Sequence, residues 1–161
     1  MDPKLDPADY RLLELLQEDA RMPMAQLAER VDLSEPACYR RVQRLKREKI
    51  IEREVAVVSP RTMGWPLTMI VLVTLERERT AILDQFMRKL QSVPEIVDAW
   101  YVTGDYDFAL RIVARDMESF ESMTRSVLYA DNFVKNFKTL VTMRQVKIQG
   151  PLKAADPSTP E

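Results

Sequence analysis

The chain has 161 residues, 46% hydrophobic and 30% charged, which is a globular, water-soluble composition with room for one domain or two small ones. The lack of histidine excludes a zinc site and a histidine base, and a single cysteine excludes an internal disulfide; of the usual catalytic pairs only a carboxylate dyad is left. A formal charge of −1 argues against a protein that coats nucleic acid indiscriminately, so any such affinity must come from a local patch.

No apolar run reaches transmembrane length, and the first residues are rich in Asp and Lys instead of charged-then-apolar; a cytoplasmic protein with no membrane partner is expected. Asp6-Pro7 predicts the start of a helix, with Asp6 as cap, Pro7 at the first helical position and Asp9 near the positive end of the dipole. Leu5, Leu12, Leu13 and Leu16 give it an inward face, and the run from Asp19 to Pro23 ends it. A short helix is expected over Met24 to Arg30, with Leu27, Ala28 and Val31 apolar, and Asp32-Leu33 is a tight turn.

The next stretch, Ser34 to Ile51, is the organising one. Ser34 is an N-cap whose hydroxyl is expected to accept a first-turn N–H, and Pro36 sits where a proline is tolerated. Cys38, Val42 and Leu45 recur at i, i+4 and i+7, one apolar face of a helix, and Cys38 reads as a small core residue. The other face carries Tyr39, Arg40, Gln43, Arg44 and Arg47. Between Glu35 and Arg53 seven basic residues (Arg40, Arg41, Arg44, Lys46, Arg47, Lys49, Arg53) stand against three acidic ones (Glu35, Glu48, Glu52). The plain alternative is a solvated charged face. Two preceding helices and a tight turn favour a helix-turn-helix with a three-helix core, its basic helix suited to a major groove. Arg41 borders the apolar face, where it either binds a phosphate or braces the helix against a neighbouring carboxylate. Ile50-Ile51 and Val55 to Val58 form a β run, expected as a wing or a linking strand.

Leu5-Asp6 with Asp9, Leu12-Leu13, Leu16-Gln17, Asp19-Ala20-Arg21, Leu27-Ala28, Leu33-Ser34, Arg41-Val42 and Leu45 resemble the amino-terminal signature of the Lrp/AsnC ("feast/famine") transcription regulators. The likeness continues in Ile50-Ile51, Ala56, Ser59-Pro60 and Gly64. One departure is Lys49, where the family usually ends the recognition helix with glycine; lysine there implies either a different exit or a strained residue.

Ser59 to Pro66, with two prolines and a glycine, is the expected linker. Beyond it, strands are expected over Leu67 to Glu76, Ile96 to Thr103, Asp107 to Ala114 and Phe137 to Ile148. Ile82, Leu83, Phe86, Met87 and Leu90 mark a helix that Pro94 closes. Asp116 caps another, with Phe120, Met123, Thr124, Val127 and Leu128 on one face. The order βαββαβ predicts an α+β chain: a winged helix-turn-helix domain at 1–58, a linker at 59–66, a ferredoxin-like sandwich at 67–150 and a loose tail at 151–161. Two helices cover only one face of a sheet, yet Met69 to Val73 and Phe108 to Leu110 are apolar on both, so a second copy is expected on the open face. Trp65 and Trp100 read as interface residues.

Tyr101-Val102-Thr103-Gly104-Asp105-Tyr106-Asp107 is enough like a hairpin turn to be only that. It has two carboxylates where a turn needs one, flanked by Tyr101 and Tyr106, and it matches the Gly-Asp-Tyr-Asp loop of the family's amino-acid-sensing domain. The resemblance implies an effector held where dimers meet. Tyr101, Thr103, Gly104, Asp105, Tyr106 and Asp107 would contribute, with the carboxylates on an ammonium group and backbone N–H groups with Thr139 or Thr142 on a carboxylate. It also implies dimers that assemble into tetramers or octamers.

The reading is a sequence-specific regulator of double-stranded DNA with an effector-sensing oligomerisation domain, no cofactor and no metal. Arginines and lysines around the helix would set affinity through phosphates, Pro36, Tyr39, Arg40, Gln43 and Arg44 would meet the bases, and Ser34, Arg41 and Arg47 complete the DNA-binding set. Two alternatives are an architectural nucleoid-type protein without a ligand and an enzyme with a DNA-binding head.

Overall fold

A computed structural model describes residues 5–76, 80–130, 133–148 and 150–153. They divide into two compact units: residues up to Ala56 together with the stretch beginning at Lys147, and Val57–Val146.

In the first unit, α1 (Pro7–Glu18) opens with a reciprocal capping box. Asp9 N–H donates to Asp6 Oδ1 at 2.9 Å and Asp6 N–H to Asp9 Oδ2 at 3.1 Å, so two orphan donors of the first turn are satisfied. Its inward line is Asp9, Leu12 and Leu15; Leu5, Leu13 and Leu16 pack half-buried at the rim, so the fully buried face lies slightly to one side of the expected one. These leucines meet Leu27 and Ala28 of α2 (Met24–Arg30) and Cys38, Val42 and Leu45 of α3 (Glu35–Arg47) in a single core. Cys38 is fully buried there, and burial pushes its thiol pKa up.

Both later helices end in the same way. Leu33 N–H reaches Ala28 O at 2.9 Å and Ile50 N–H reaches Leu45 O at 3.0 Å, each closing a Schellman turn around a left-handed residue. Those residues are Asp32 (φ 55°) and Lys49 (φ 56°). Aspartate tolerates that region; lysine does so at a cost, so the family's usual exit is kept with a strained residue in it.

The run from Ile50 to Val58 makes no strand, either as a wing or as a link. β propensity alone does not hold a strand without a ladder partner, and the first unit has no strand among its described residues to supply one. Ser59 to Pro66, the expected linker, forms a hydrogen-bonded turn that is exposed except at Trp65. Met63 N–H donates to Ser59 O and Trp65 N–H to Pro60 O (3.1 and 2.8 Å), Gly64 takes φ 87°, and the Trp65 ring lies 5.4 Å from the Arg115 guanidinium. Of the expected tail, residues 154–161 lie outside the described residues. Leu152 is tied to α1: its N–H donates to Gln17 Oε1 at 2.8 Å and its carbonyl accepts from Gln17 Nε2 at 3.0 Å.

The second unit is the expected ferredoxin-like sandwich. Its strands β1 (Leu67–Leu75), β2 (Ile96–Tyr101), β3 (Phe108–Ala114) and β4 (Val134–Val141) form an antiparallel sheet in the order β2-β3-β1-β4. Helices α4 (Thr80–Gln91) and α5 (Met117–Thr124, extended by a π-helical turn at Arg125–Tyr129) connect them. Asp116 caps α5 as expected, accepting from Ser119 N–H at 2.7 Å. Phe86, Leu90, Phe120, Met123, Val127 and Leu128 bury Met69, Val71, Val73, Phe108, Leu110 and Ile112 on one sheet face. The alternate residues Ile70, Leu72, Ala109, Trp100 and Leu140 share the opposite face, where Trp100 is 50% and Leu140 44% exposed. β4 starts three residues earlier than expected and stops at Val141: opposite Met69 it nears the end of β1, and only Thr142 N–H, donating to Thr68 O at 2.9 Å, reaches further.

Candidate nucleic-acid interface and effector loop

Glu35 and Pro36 begin α3, and Ser34 stands at its cap with no side-chain bond to the helix. Pro36 at the second position has no N–H, which removes one of the two donors that a capping hydroxyl normally takes. Only the Ser34 carbonyl is used, by Cys38 N–H at 2.9 Å, so the hydroxyl faces solvent. Pro36, Tyr39, Arg40, Gln43 and Arg47 are all exposed. Their spacing of i, i+3, i+4, i+7 and i+11 puts them on one stripe opposite the buried line Cys38, Val42 and Leu45.

Arg41 and Arg44 do not belong to that stripe. Arg41 Nη1 donates to Asp6 Oδ2 at 2.6 Å and to Asp9 Oδ1 at 2.9 Å, and Arg44 Nη2 donates to Asp9 Oδ2 at 2.5 Å. Of the two roles open to Arg41, the brace is the one found. Arg44, expected to read bases, is instead paired with Asp9, which reaches it through the packing of α1 on α3. Backbone hydrogen bonding from Asp9 and then the Arg41 guanidinium hold the Asp6 carboxyl below its ordinary range, and the two carboxylates raise Arg41 further. Asp9 is 1% exposed, a buried charge that is paired on both oxygens.

In the second unit, the β2–β3 hairpin carries the loop Tyr101 to Asp107. Gly104 sits at φ 119°, a backbone conformation that favours glycine. Asp107 is a fastening: its Oδ2 accepts from Leu75 N–H at 2.7 Å, its own N–H donates to Val73 O and its carbonyl accepts from Val102 N–H, both at 2.9 Å. It thereby satisfies a β1 amide beside the Thr74/Leu75 irregularity in the β1–β4 ladder. Asp105 stands exposed on the anchored loop; its carbonyl lies 3.5 Å from the Thr74 hydroxyl, and no hydrogen bond among the described residues reaches its carboxylate. Thr103 is exposed and Tyr106 half-buried, while Tyr101 packs its ring 5.3 Å from Phe108 and is 57% exposed.

Thr142 is not brought to this loop within one chain, and Thr139 stands on the far side of β1 from it. Thr139 pairs with Val71 and Thr142 bonds to Thr68, whereas the loop fastens at Val73 to Leu75. At about 3.4 Å per residue, Thr142 is on the order of 17 Å along the sheet from the loop's anchor. The β4 residue opposite Thr74 is Asn136, which sequence spacing did not single out.

Residues 5–46 match the AsnC-type helix-turn-helix domain and residues 68–152 the Lrp/AsnC ligand binding domain. The chain belongs to the Lrp/AsnC family of transcription regulators. It is 45% identical over 144 residues to an uncharacterized HTH-type transcriptional regulator of Sinorhizobium fredii, covering 89% of this chain and 85% of that one. It is 35% identical to the leucine-responsive regulatory protein of Rhizobium meliloti, covering 89% and 92%. Among solved structures, a transcriptional regulator of Neisseria meningitidis in complex with L-Met superposes with a TM-score of 0.86 at 26% identity, over 92% of this chain and 96% of that one. Family membership makes the protein a DNA-binding transcription regulator with a ligand-binding domain; its relatives are transcriptional regulators, and no described helix is long and apolar enough to cross a membrane.

Proposed function

We propose that the regulator reads a double-stranded operator through the stripe Pro36, Tyr39, Arg40, Gln43 and Arg47, with Ser34 on a phosphate, and that an apolar amino acid controls it at the Asp105 loop. The observation that carries the sensing half is the exposed carboxylate of Asp105, which no hydrogen bond among the described residues reaches, presented on a loop held in place by Asp107 and Gly104. A fixed carboxylate beside backbone N–H groups suits an α-ammonium and α-carboxylate pair, since each charge of a zwitterion needs a partner once water is removed. The Neisseria structure holds L-Met and one relative is named for its response to leucine, which supports an aliphatic or thioether side chain. The exposed Tyr101 ring offers it an apolar neighbour.

Assembly is part of the proposal. The open sheet face with Ile70, Leu72, Trp100 and Leu140 is suited to burial against a second copy across a two-fold axis, and further pairing of dimers gives a tetramer or octamer. Thr139 and Thr142 then meet an effector loop only if another copy supplies it. A two-fold dimer working in the cytoplasm would read half-sites about one helical turn (~34 Å) or a multiple apart. The effector acts by linkage, shifting assembly or head spacing only as far as its affinities for the two states differ. A ligand-free architectural protein is not favoured, because more than half of the chain matches a ligand-binding domain.

The test is a thermal-shift screen of the purified protein against the twenty amino acids. A ligand that binds only the folded state raises the melting temperature by mass action. One or a few hits, lost in Asp105→Ala, support the reading; hits that survive Asp105→Ala move the site elsewhere.

A further inference from the structure

The recognition helix carries more positive charge than it can present. Arg40, Arg41 and Arg44 line one open concavity of about 360 Å³ with Leu33 and Ala37, on the flank of the exposed stripe. Three guanidiniums around a hollow of that kind would seat a phosphate regardless of base sequence. Two of them are already occupied. Asp9 accepts from both Arg41 and Arg44, and Asp6 accepts from Arg41, so three positive charges and two negative ones leave a cluster of net +1. Arg44 is drawn in so far that its Nε is buried without a hydrogen-bond partner. Arg47, outside the cluster, keeps 74% of its side chain exposed, against 29% for Arg41 and 34% for Arg44.

We infer that Asp9 limits the sequence-independent affinity of the DNA-reading helix: a buried carboxylate that keeps Arg41 and Arg44 off the phosphate backbone and leaves the contact to the exposed stripe. The inference rests on the DNA-reader assignment and adds a division of labour within α3. Sequence-independent affinity grows with each phosphate neutralised, whereas discrimination comes from base edges. Withholding two arginines therefore lowers the base-independent part of the affinity, on operator and random DNA alike, and leaves a larger share of what remains to base edges. It also fits a chain whose net charge is −1 and which places seven of its 24 basic residues between Glu35 and Arg53. Asp9 has a second task, since the Oδ2 that accepts from Arg44 also accepts from Asp6 N–H in the capping box of α1, which ties the reader helix to the helix that supports it.

The experiment is the salt dependence of binding to a random-sequence duplex, measured with the full chain for wild type, Arg41→Gln/Arg44→Gln, Asp9→Asn, and the triple variant combining all three changes. Each arginine that meets a phosphate contributes about 0.9 to the slope of log K against log salt. The mask predicts that Arg41→Gln/Arg44→Gln and the triple variant keep the wild-type slope, and that Asp9→Asn steepens it by about 0.9, the share of Arg44, because Asp6 still holds Arg41. A slope flattened by about 1.8 in Arg41→Gln/Arg44→Gln or in the triple variant overturns the inference, because the arginines would then already touch DNA in the wild type. So does an Asp9→Asn protein with native helical content and an unchanged slope. The triple variant buries no unpaired charge, so it answers the question even if a single change unfolds the head. A wild type without any salt-dependent binding would instead count against the DNA-reader assignment itself.

Discussion

Lys49→Gly should stabilise the DNA-reading unit. Lys49 closes the recognition helix at φ 56°, with Ile50 N–H bonded to Leu45 O behind it. A residue with a Cβ loses about 1–2 kcal/mol in that region relative to right-handed backbone. Glycine relieves that strain but brings extra freedom to the unfolded chain, about 0.5–1 kcal/mol. The difference leaves a net gain of about 0.5–1 kcal/mol, provided Lys49 contributes no packing, and its side chain is exposed. Both tryptophans lie in the second unit, so their fluorescence does not report on this one. Native-state hydrogen exchange does: amides of α3 that exchange through opening of the unit should slow by about 2- to 5-fold. Lys49→Ala is the control, since it removes the same side chain and keeps the strain. Equal stabilisation by alanine, or faster exchange in the glycine variant, would refute the strain argument.

The two loop aspartates should separate by role. Asp107→Ala leaves Leu75 N–H unsatisfied and is expected to cost about 1–3 kcal/mol in urea unfolding followed by tryptophan fluorescence, whereas Asp105→Ala should change stability by less than about 0.5 kcal/mol and abolish the effector response. Arg40→Ala should lose about 1–3 kcal/mol of operator affinity concentrated at one half-site position, read by binding to a panel of single-base variants; uniform weakening would make it a phosphate contact. Asp6 has its pKa lowered by the Asp9 N–H and by Arg41, so its contribution to stability is complete above the unfolded carboxylate value, about 3.9, and is lost as the pH falls through the lower folded value. Acid unfolding of the first unit should therefore be shallower in Asp6→Asn, and an identical acid profile would contradict the pairing.

Periodicity made most of the architecture legible. Cys38, Val42 and Leu45 at helical spacing and the βαββαβ alternation required only local pattern, and each took the place it predicted. Errors arose where a residue's fate depended on a partner distant in sequence. Val55 to Val58 have strand propensity but no neighbouring strand, and β4 was displaced because its limits are set by pairing with β1. Arg44 looked like a base reader because a helical wheel shows no carboxylate near it; Asp9 arrives from another helix. The Gly104-Asp105 turn was readable from its chemistry. The fastening role of Asp107 was not, since it depends on the free amide of Leu75 at a register shift. The resemblance places Thr139 and Thr142 with the loop; the register puts Thr139 opposite Val71, at the middle of β1, and Thr142 opposite Thr68, near its far end.

The most direct test of the account is selection of binding sites from a random duplex library by the full-length protein. Sequence-specific reading by paired recognition helices predicts enrichment of a consensus with inverted half-sites about one helical turn (~34 Å) or a multiple apart, lost when Arg40 and Gln43 are both replaced by alanine. Enrichment without any consensus, or a consensus indifferent to those two replacements, would contradict it.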